Sequence, residues 1–187
     1  MSETVTVPPL LAYFGKDSIK QKYVNRMKNH IKADELVRGI GFEDCKGCAV
    51  GCTLDNYNHK SYETELGLPE WLARLEDTIF EGMSEEKSKQ FPLLLLQSIT
   101  PGANLDKTYH KFCKYVLTEF ADDCGEEPVR KAIEMVLSQH EKAIKGEIIT
   151  IPELGRLYSA AWSAAWSAAY DKMADQLIIL LKECKVE

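Results

Sequence analysis

Leu68-Pro69-Glu70-Trp71-Leu72-Ala73-Arg74-Leu75-Glu76-Asp77-Thr78-Ile79-Phe80-Glu81-Gly82-Met83 is the stretch from which the fold class can be read. Leu68, Leu72, Leu75, Ile79 and Met83 recur at three- and four-residue steps, the spacing that puts side chains on one face of an α-helix. Pro69 suits the first turn, where its missing N–H is no loss, and Gly82 suits the end. The segment predicts a helix from Pro69 to Glu81 with a buried apolar stripe.

The same period extends in both directions, and no segment alternates apolar and polar residues as a half-buried strand would. Upstream, Ser18 and Gln21 read as a capping box opening a helix from about Ile19 to Arg38, stopped by Gly39 and Gly41. Residues 40–66 read as irregular, rich in Gly, Asn and Cys. Downstream, Ser84 caps a short helix that Pro92 interrupts or restarts. The run Leu93-Leu94-Leu95-Leu96 is apolar on every side and suggests a well-covered element. Pro101-Gly102 marks a turn. Further helices are expected over Leu105–Ala121 and Glu126–Lys145, separated by Asp122-Asp123-Cys124-Gly125. A box of Thr150 and Glu153 then opens a last helix over about 151–182, ~50 Å long at 1.5 Å per residue. The expectation is all-α: one domain over residues 1–187, a bundle of six or seven helices with a long C-terminal one.

Composition bounds the function classes. A 187-residue chain is long enough to bury about 70% of its unfolded surface without disulfides. The net charge of −6 sets the whole-molecule field against phosphate backbones, so nucleic acid is not expected as a partner. The N-terminus lacks the basic and apolar regions of a secretory signal, and no apolar run is long enough to span a bilayer. Cytoplasmic location, no membrane association and six reduced cysteines follow as expectations.

The chemistry concentrates in Cys45-Lys46-Gly47-Cys48-Ala49-Val50-Gly51-Cys52, followed by His59. Cys45, Cys48, Cys52 and His59 offer zinc a set of four soft or borderline ligands, although the spacing matches no standard module. If residues 47–54 form a helical turn, its amides would favour a thiolate at Cys48, with Cys52 one turn on. His59, oriented by Glu63 or Glu65, could then act as base, or the two thiols could cycle to a disulfide. The alternative is that these cysteines pack as small apolar side chains.

Other polar groups fall on apolar faces. His30 and Asp34 interrupt the stripe of the first helix four residues apart, as a structural hydrogen bond or part of a site. Glu76 borders the core face of the Pro69 helix and could join His30 or His59 in metal-assisted chemistry. His110 and His140 read as core or rim residues. In the tail, Tyr158, Trp162, Trp166 and Tyr170 are spaced by four among alanines, as helix packing, a homodimer surface or a ligand wall. Nucleotide-binding glycine motifs, the nucleophile elbow and the HExxH motif are absent.

Several segments together resemble a family of uncharacterised bacterial proteins. They are His30-Ile31-Lys32-Ala33-Asp34-Glu35, Lys46-Gly47-Cys48-Ala49-Val50-Gly51-Cys52-Thr53, Tyr62-Glu63-Thr64-Glu65-Leu66-Gly67-Leu68-Pro69, Leu72-Ala73-Arg74-Leu75-Glu76-Asp77 and Ile79-Phe80-Glu81-Gly82, with the aromatic, alanine-rich tail. The resemblance implies no established activity. It places Cys48 and Cys52 inside the pattern and Cys45 outside it, and groups His30, Asp34, His59, Glu63 and Glu76 with the two thiols as one pocket. The leading expectation is a Cys/His/carboxylate pocket for a small molecule or a divalent transition metal such as zinc. Its metal ligands would be drawn from Cys48, Cys52, His59, His30 and Glu76, its catalytic groups from Cys48, Cys52, His59 and Glu63. The alternatives are a helical self-association module or a thiol enzyme.

Overall fold

The computed structural model describes residues 9–120, 127–147 and 170–186. The chain is all-α. Among the described residues the helices are α1 (Asp17–Lys32), α2 (Ala49–Leu54), α3 (Glu70–Gly82), α4 (Glu85–Ser88), α5 (Phe91–Ser98), α6 (Asp106–Phe120), α7 (Glu127–Ile144) and α8 (Tyr170–Glu183). The described β structure is one two-stranded antiparallel hairpin, β1 (Phe42–Glu43) with β2 (Lys46–Gly47), besides two isolated bridges. Among the described residues no helix is long and apolar enough to cross a membrane. The Thr150/Glu153 box, Tyr158, Trp162 and Trp166 lie outside the described residues.

The α3 stripe is buried as its period requires: Leu68, Leu72 and Ile79 are 0% exposed and Leu75 8%. Pro69 sits at the N-cap rather than inside the first turn. Gly82 has a packing role besides ending the helix, since a Cβ there would meet the Tyr170 ring of α8 at 2.4 Å.

Three expectations are corrected. Helix α1 ends at Lys32, six residues before Arg38, because Asp34 takes the left-handed conformation (φ 54°) that usually falls to glycine. The Glu35 N–H then bonds the His30 carbonyl at 3.0 Å and the Asp34 N–H that of Ile31 at 3.2 Å, closing a Schellman turn. At its start, Lys16 is the cap residue and no side chain caps the helix, so Ser18 and Gln21 form no capping box. The run Leu93–Leu96 is not covered throughout: Leu95 and Leu96 are buried, but Leu94 is 49% exposed.

Residues 40–66, expected to be irregular, hold the hairpin, α2 and a π-type turn at Tyr62–Leu66. The hairpin turns at Asp44-Cys45, both with positive φ (49° and 64°), the conformation of a type I′ turn. Helix α2 has all six residues buried. Around it pack α1 and α3, while α5 lies against α1, and α8 against α3, α5 and α6. Lys20 bonds the Gln97 and Ile99 carbonyls at 2.7 and 2.8 Å, tying α1 to the end of α5. The buried core is one cluster running from the first turn through α1, α2, α3, α5, α6 and α8.

Candidate functional site around α2

Six residues are too few to hold a helix in water, so α2 exists because its surroundings bury it. Cys48 is the N-cap, its Sγ accepting from the Gly51 N–H at 3.4 Å in the place a serine or aspartate oxygen usually takes. The Cys48 N–H bonds the Ile40 carbonyl at 2.8 Å, drawing the 40–42 backbone onto the helix. That approach needs glycine: a Cβ on Gly51 would stand 1.8 Å from the Gly41 carbonyl oxygen, and one on Gly47 2.4 Å from it.

Both site thiols are enclosed, Cys48 at 1% and Cys52 at 0% exposure. The Cys52 thiol donates to the Gly47 carbonyl at 3.4 Å and the Glu35 carbonyl at 3.6 Å. Burial pushes its pKa up to about 12. Burial also raises the pKa of Cys48, helped by the neighbouring Asp77 carboxylate; the Gly51 amide acts the other way and is outweighed. Both are therefore protonated near neutral pH. Among the described cysteines there is no disulfide, and Cys45 at the hairpin tip is exposed.

At the N-terminal end of α2, Asp77 of α3 collects the polar groups. Its Oδ2 accepts from the Tyr57 hydroxyl at 2.8 Å and faces His59 Nε2 at 3.2 Å, while the Cys48 thiol lies beside the same carboxylate. The Asp77 bond pushes the Tyr57 phenol up to about 12, with burial second. The Tyr57 and His59 rings meet edge to face at 5.0 Å. Glu63 takes no part: it is exposed and accepts from the Glu70 N–H at 3.2 Å.

At the C-terminal end, Asp55 closes α2 with a left-handed φ of 54°. Its Oδ1 stands 2.9 Å from His30 Nε2 and its Oδ2 3.0 Å from Arg26 Nε. Glu35, just past the Schellman turn, meets His30 Nδ1 at 2.7 Å. Arg26 also donates to the Thr53 carbonyl at 2.9 Å. Asp34, expected beside His30, instead points out toward Lys89 at 3.4 Å. Above this chain of bonds runs a cleft of about 560 Å³ along α1, walled by Lys22, Asn25 and Asn29.

Glu76 reaches neither His30 nor His59. It is 0% exposed and accepts from the Tyr62 hydroxyl at 2.6 Å, whereas its Oε1 has no hydrogen-bond partner. Tyr13 and Thr53 border this pair. Burial raises the Glu76 pKa to about 8; Tyr62 opposes the shift and the Asp77 charge adds to it.

The expected residues thus divide among three networks tied to one buried helix: Cys48 and His59 at Asp77, His30 at Asp55, Glu76 at Tyr62. No three His, Cys, Asp or Glu side chains among the described residues gather in an arrangement that could hold a metal ion. Sequence reasoning missed Asp77, Asp55, Arg26 and Tyr57 as partners. The one available pointer was Asp55-Asn56 directly after the apolar run ending at Leu54, a helix-stop composition. No protein-family model, curated protein or solved structure matches the chain.

Proposed function

We propose that the protein binds a small polar molecule in the cleft along α1, and that the α2 thiols pack as scaffold rather than react, Cys52 bonding the Glu35 carbonyl beneath the cleft. The observation that carries this reading is the floor itself. Arg26, His30, Glu35 and Asp55 are joined by three bonds of 2.7–3.0 Å, Arg26 is held besides by the Thr53 carbonyl, and the four stand pre-organised beneath a cleft of about 560 Å³. The cleft is broad and open, so it would hold one face of a small ligand and leave the other to solvent. Arg26 meets the charge of Asp55, and the His30 ring bridges Asp55 and Glu35. The carboxamides of Asn25 and Asn29, with Lys22, whose ammonium otherwise reaches the Tyr23 hydroxyl at 3.3 Å, would receive a ligand rich in hydroxyl and carboxylate or phosphate oxygens. A reducing, cytoplasmic setting belongs to this reading, in which the cysteines stay thiols. Self-association through the tail rests on side chains outside the described residues.

A thermal-shift series with hydroxy acids, sugar phosphates and amino acids at millimolar concentration tests the reading. One class is expected to raise the Tm of the wild type through linkage, and to raise it much less in Asn29→Leu and Lys22→Ala. These two side chains are at the cleft wall and outside the core, so the variants should fold. No shift with any class, or the same shift in both variants, contradicts the assignment.

A further inference from the structure

We infer that the core holds one internal water molecule where α2, α3 and the Tyr62–Leu66 turn meet, bridging Glu76 and Thr53. Glu76, Thr53, Tyr62 and Tyr13 are each 0% exposed, so this polar cluster is closed to bulk solvent. Within it the Tyr62 hydroxyl donates to Glu76 Oε2 at 2.6 Å, and the Tyr13 hydroxyl to the Leu96 carbonyl at 2.8 Å. Two oxygens are left over. Glu76 Oε1 belongs to the carboxyl that Tyr62 meets and Thr53 Oγ1 lies beside the same phenol, yet neither has a partner at hydrogen-bonding geometry. Buried polar atoms are almost always paired, because an unpaired one forfeits its bonds to water and gains nothing in return. Two such atoms, on different elements and gathered at one phenol, mark a place for a small molecule that both donates and accepts.

Water meets each requirement. With Glu76 protonated, it accepts from Oε1 and donates to Thr53 Oγ1 and to the remaining lone pair of the Tyr62 oxygen. With Glu76 ionised, it donates to Oε1 and accepts from the Thr53 hydroxyl. The bridge therefore serves either charge state of the carboxyl. Three partners is also the usual number for a buried water. A divalent cation fits poorly: calcium and magnesium take about six or more oxygens, and among the described residues no three acids, histidines or cysteines gather to hold one. The site is separate from the α1 cleft. Thr53 meets the floor of that cleft through its main-chain carbonyl, which receives Arg26 at 2.9 Å, whereas the water is held by its side chain.

A crystal structure of the full chain, at a resolution that orders internal waters, tests the site directly. The expected result is a density peak about 2.5–3.0 Å from both Glu76 Oε1 and Thr53 Oγ1. The peak should persist in Glu76→Gln, whose amide donates as the protonated acid does, and be lost in Thr53→Val. The valine keeps the side-chain shape but takes a partner from the bridge, so the Tm of that variant should fall by roughly 3–8 °C. Without a water the same change only removes an unpaired hydroxyl, and a Tm level with wild type or above it overturns the site. So does wild-type density with no peak there, or with the Glu76 carboxyl bonded directly to Thr53. The wild-type density decides the matter even where a variant fails to fold.

Discussion

Gly51→Ala is expected to lower the Tm by roughly 10–20 °C, or to leave the chain unable to fold. In an isolated helix the change would stabilise by about 1 kcal/mol, because alanine is the better helix former. Here the new methyl would lie 1.8 Å from the Gly41 carbonyl oxygen, 2.9 Å from its carbon and 3.1 Å from Phe42 Cβ. Two of these contacts are backbone, so no side chain can rotate away. Either α2 leaves the 40–42 backbone, losing the bonds from Cys48 N–H to Ile40 and Gly41, or the hairpin leaves the core. Overpacking of this kind costs on the order of 4–5 kcal/mol, a large part of a domain's total stability. Gly51 does not have positive φ, so the requirement is for space and not for conformation. Gly39→Ala is the control: its φ is +77° but its Cβ direction is open. That variant should lose only about 1–2 kcal/mol of backbone strain. Thermal denaturation followed by circular dichroism compares the two, and a Gly51→Ala protein within a few degrees of wild type would mean that α2 does not lie against Gly41.

Glu76→Gln carries the second large effect, and its sign depends on pH. In the unfolded chain the carboxyl loses its proton near 4.5; in the folded chain it does so only at about 8. Between these values the folded state binds more protons, so stability falls as pH rises from about 4.5 and the loss is complete above about 8. Each unit is worth about 1.4 kcal/mol, so several kcal/mol are at stake as an upper bound. Glutamine resembles the protonated acid: its oxygen can accept the Tyr62 bond and it carries no charge. The variant is expected to match wild type near pH 5 and to exceed it by about 2–4 kcal/mol above pH 8. His140 acts in the opposite sense. Its folded pKa of about 4 lies below the ordinary 6.5, so its contribution is lost as pH falls through that window. The difference between wild type and Glu76→Gln cancels this background. Urea denaturation across the range reads it directly, and parallel pH profiles would contradict a protonated, enclosed Glu76.

The long helices were legible because burial on one face writes a period into the sequence, as the α3 stripe of Leu72, Leu75 and Ile79 does. Their ends were less so. Nothing in the apolar period marks Asp34 as the residue that leaves the helix, because the stripe continues to Val37 while the turn is closed locally, by Glu35 bonding back to His30. Helix α2 could not be read from periodicity at all: six residues buried all round show no face. Cys48, Cys52 and His59 were visible as residue types. Their partners Asp77 and Asp55 were not, because each pairing joins elements distant in sequence and neither carboxylate breaks a pattern where it sits. Glu76 did break one, lying on the core side of α3, and it is the most deeply enclosed acid of the three.

Thiol labelling of the native protein, resolved by cysteine with mass spectrometry, bears most directly on the claim that α2 is a buried scaffold with protonated thiols. Cys45, exposed at the hairpin tip, should react at the rate of a free peptide cysteine. Cys48 and Cys52 should be protected by orders of magnitude and react only as the chain unfolds, because both are enclosed and both have raised pKa values. Labelling of Cys48 or Cys52 as fast as Cys45 under native conditions would contradict it and return the pair to chemistry.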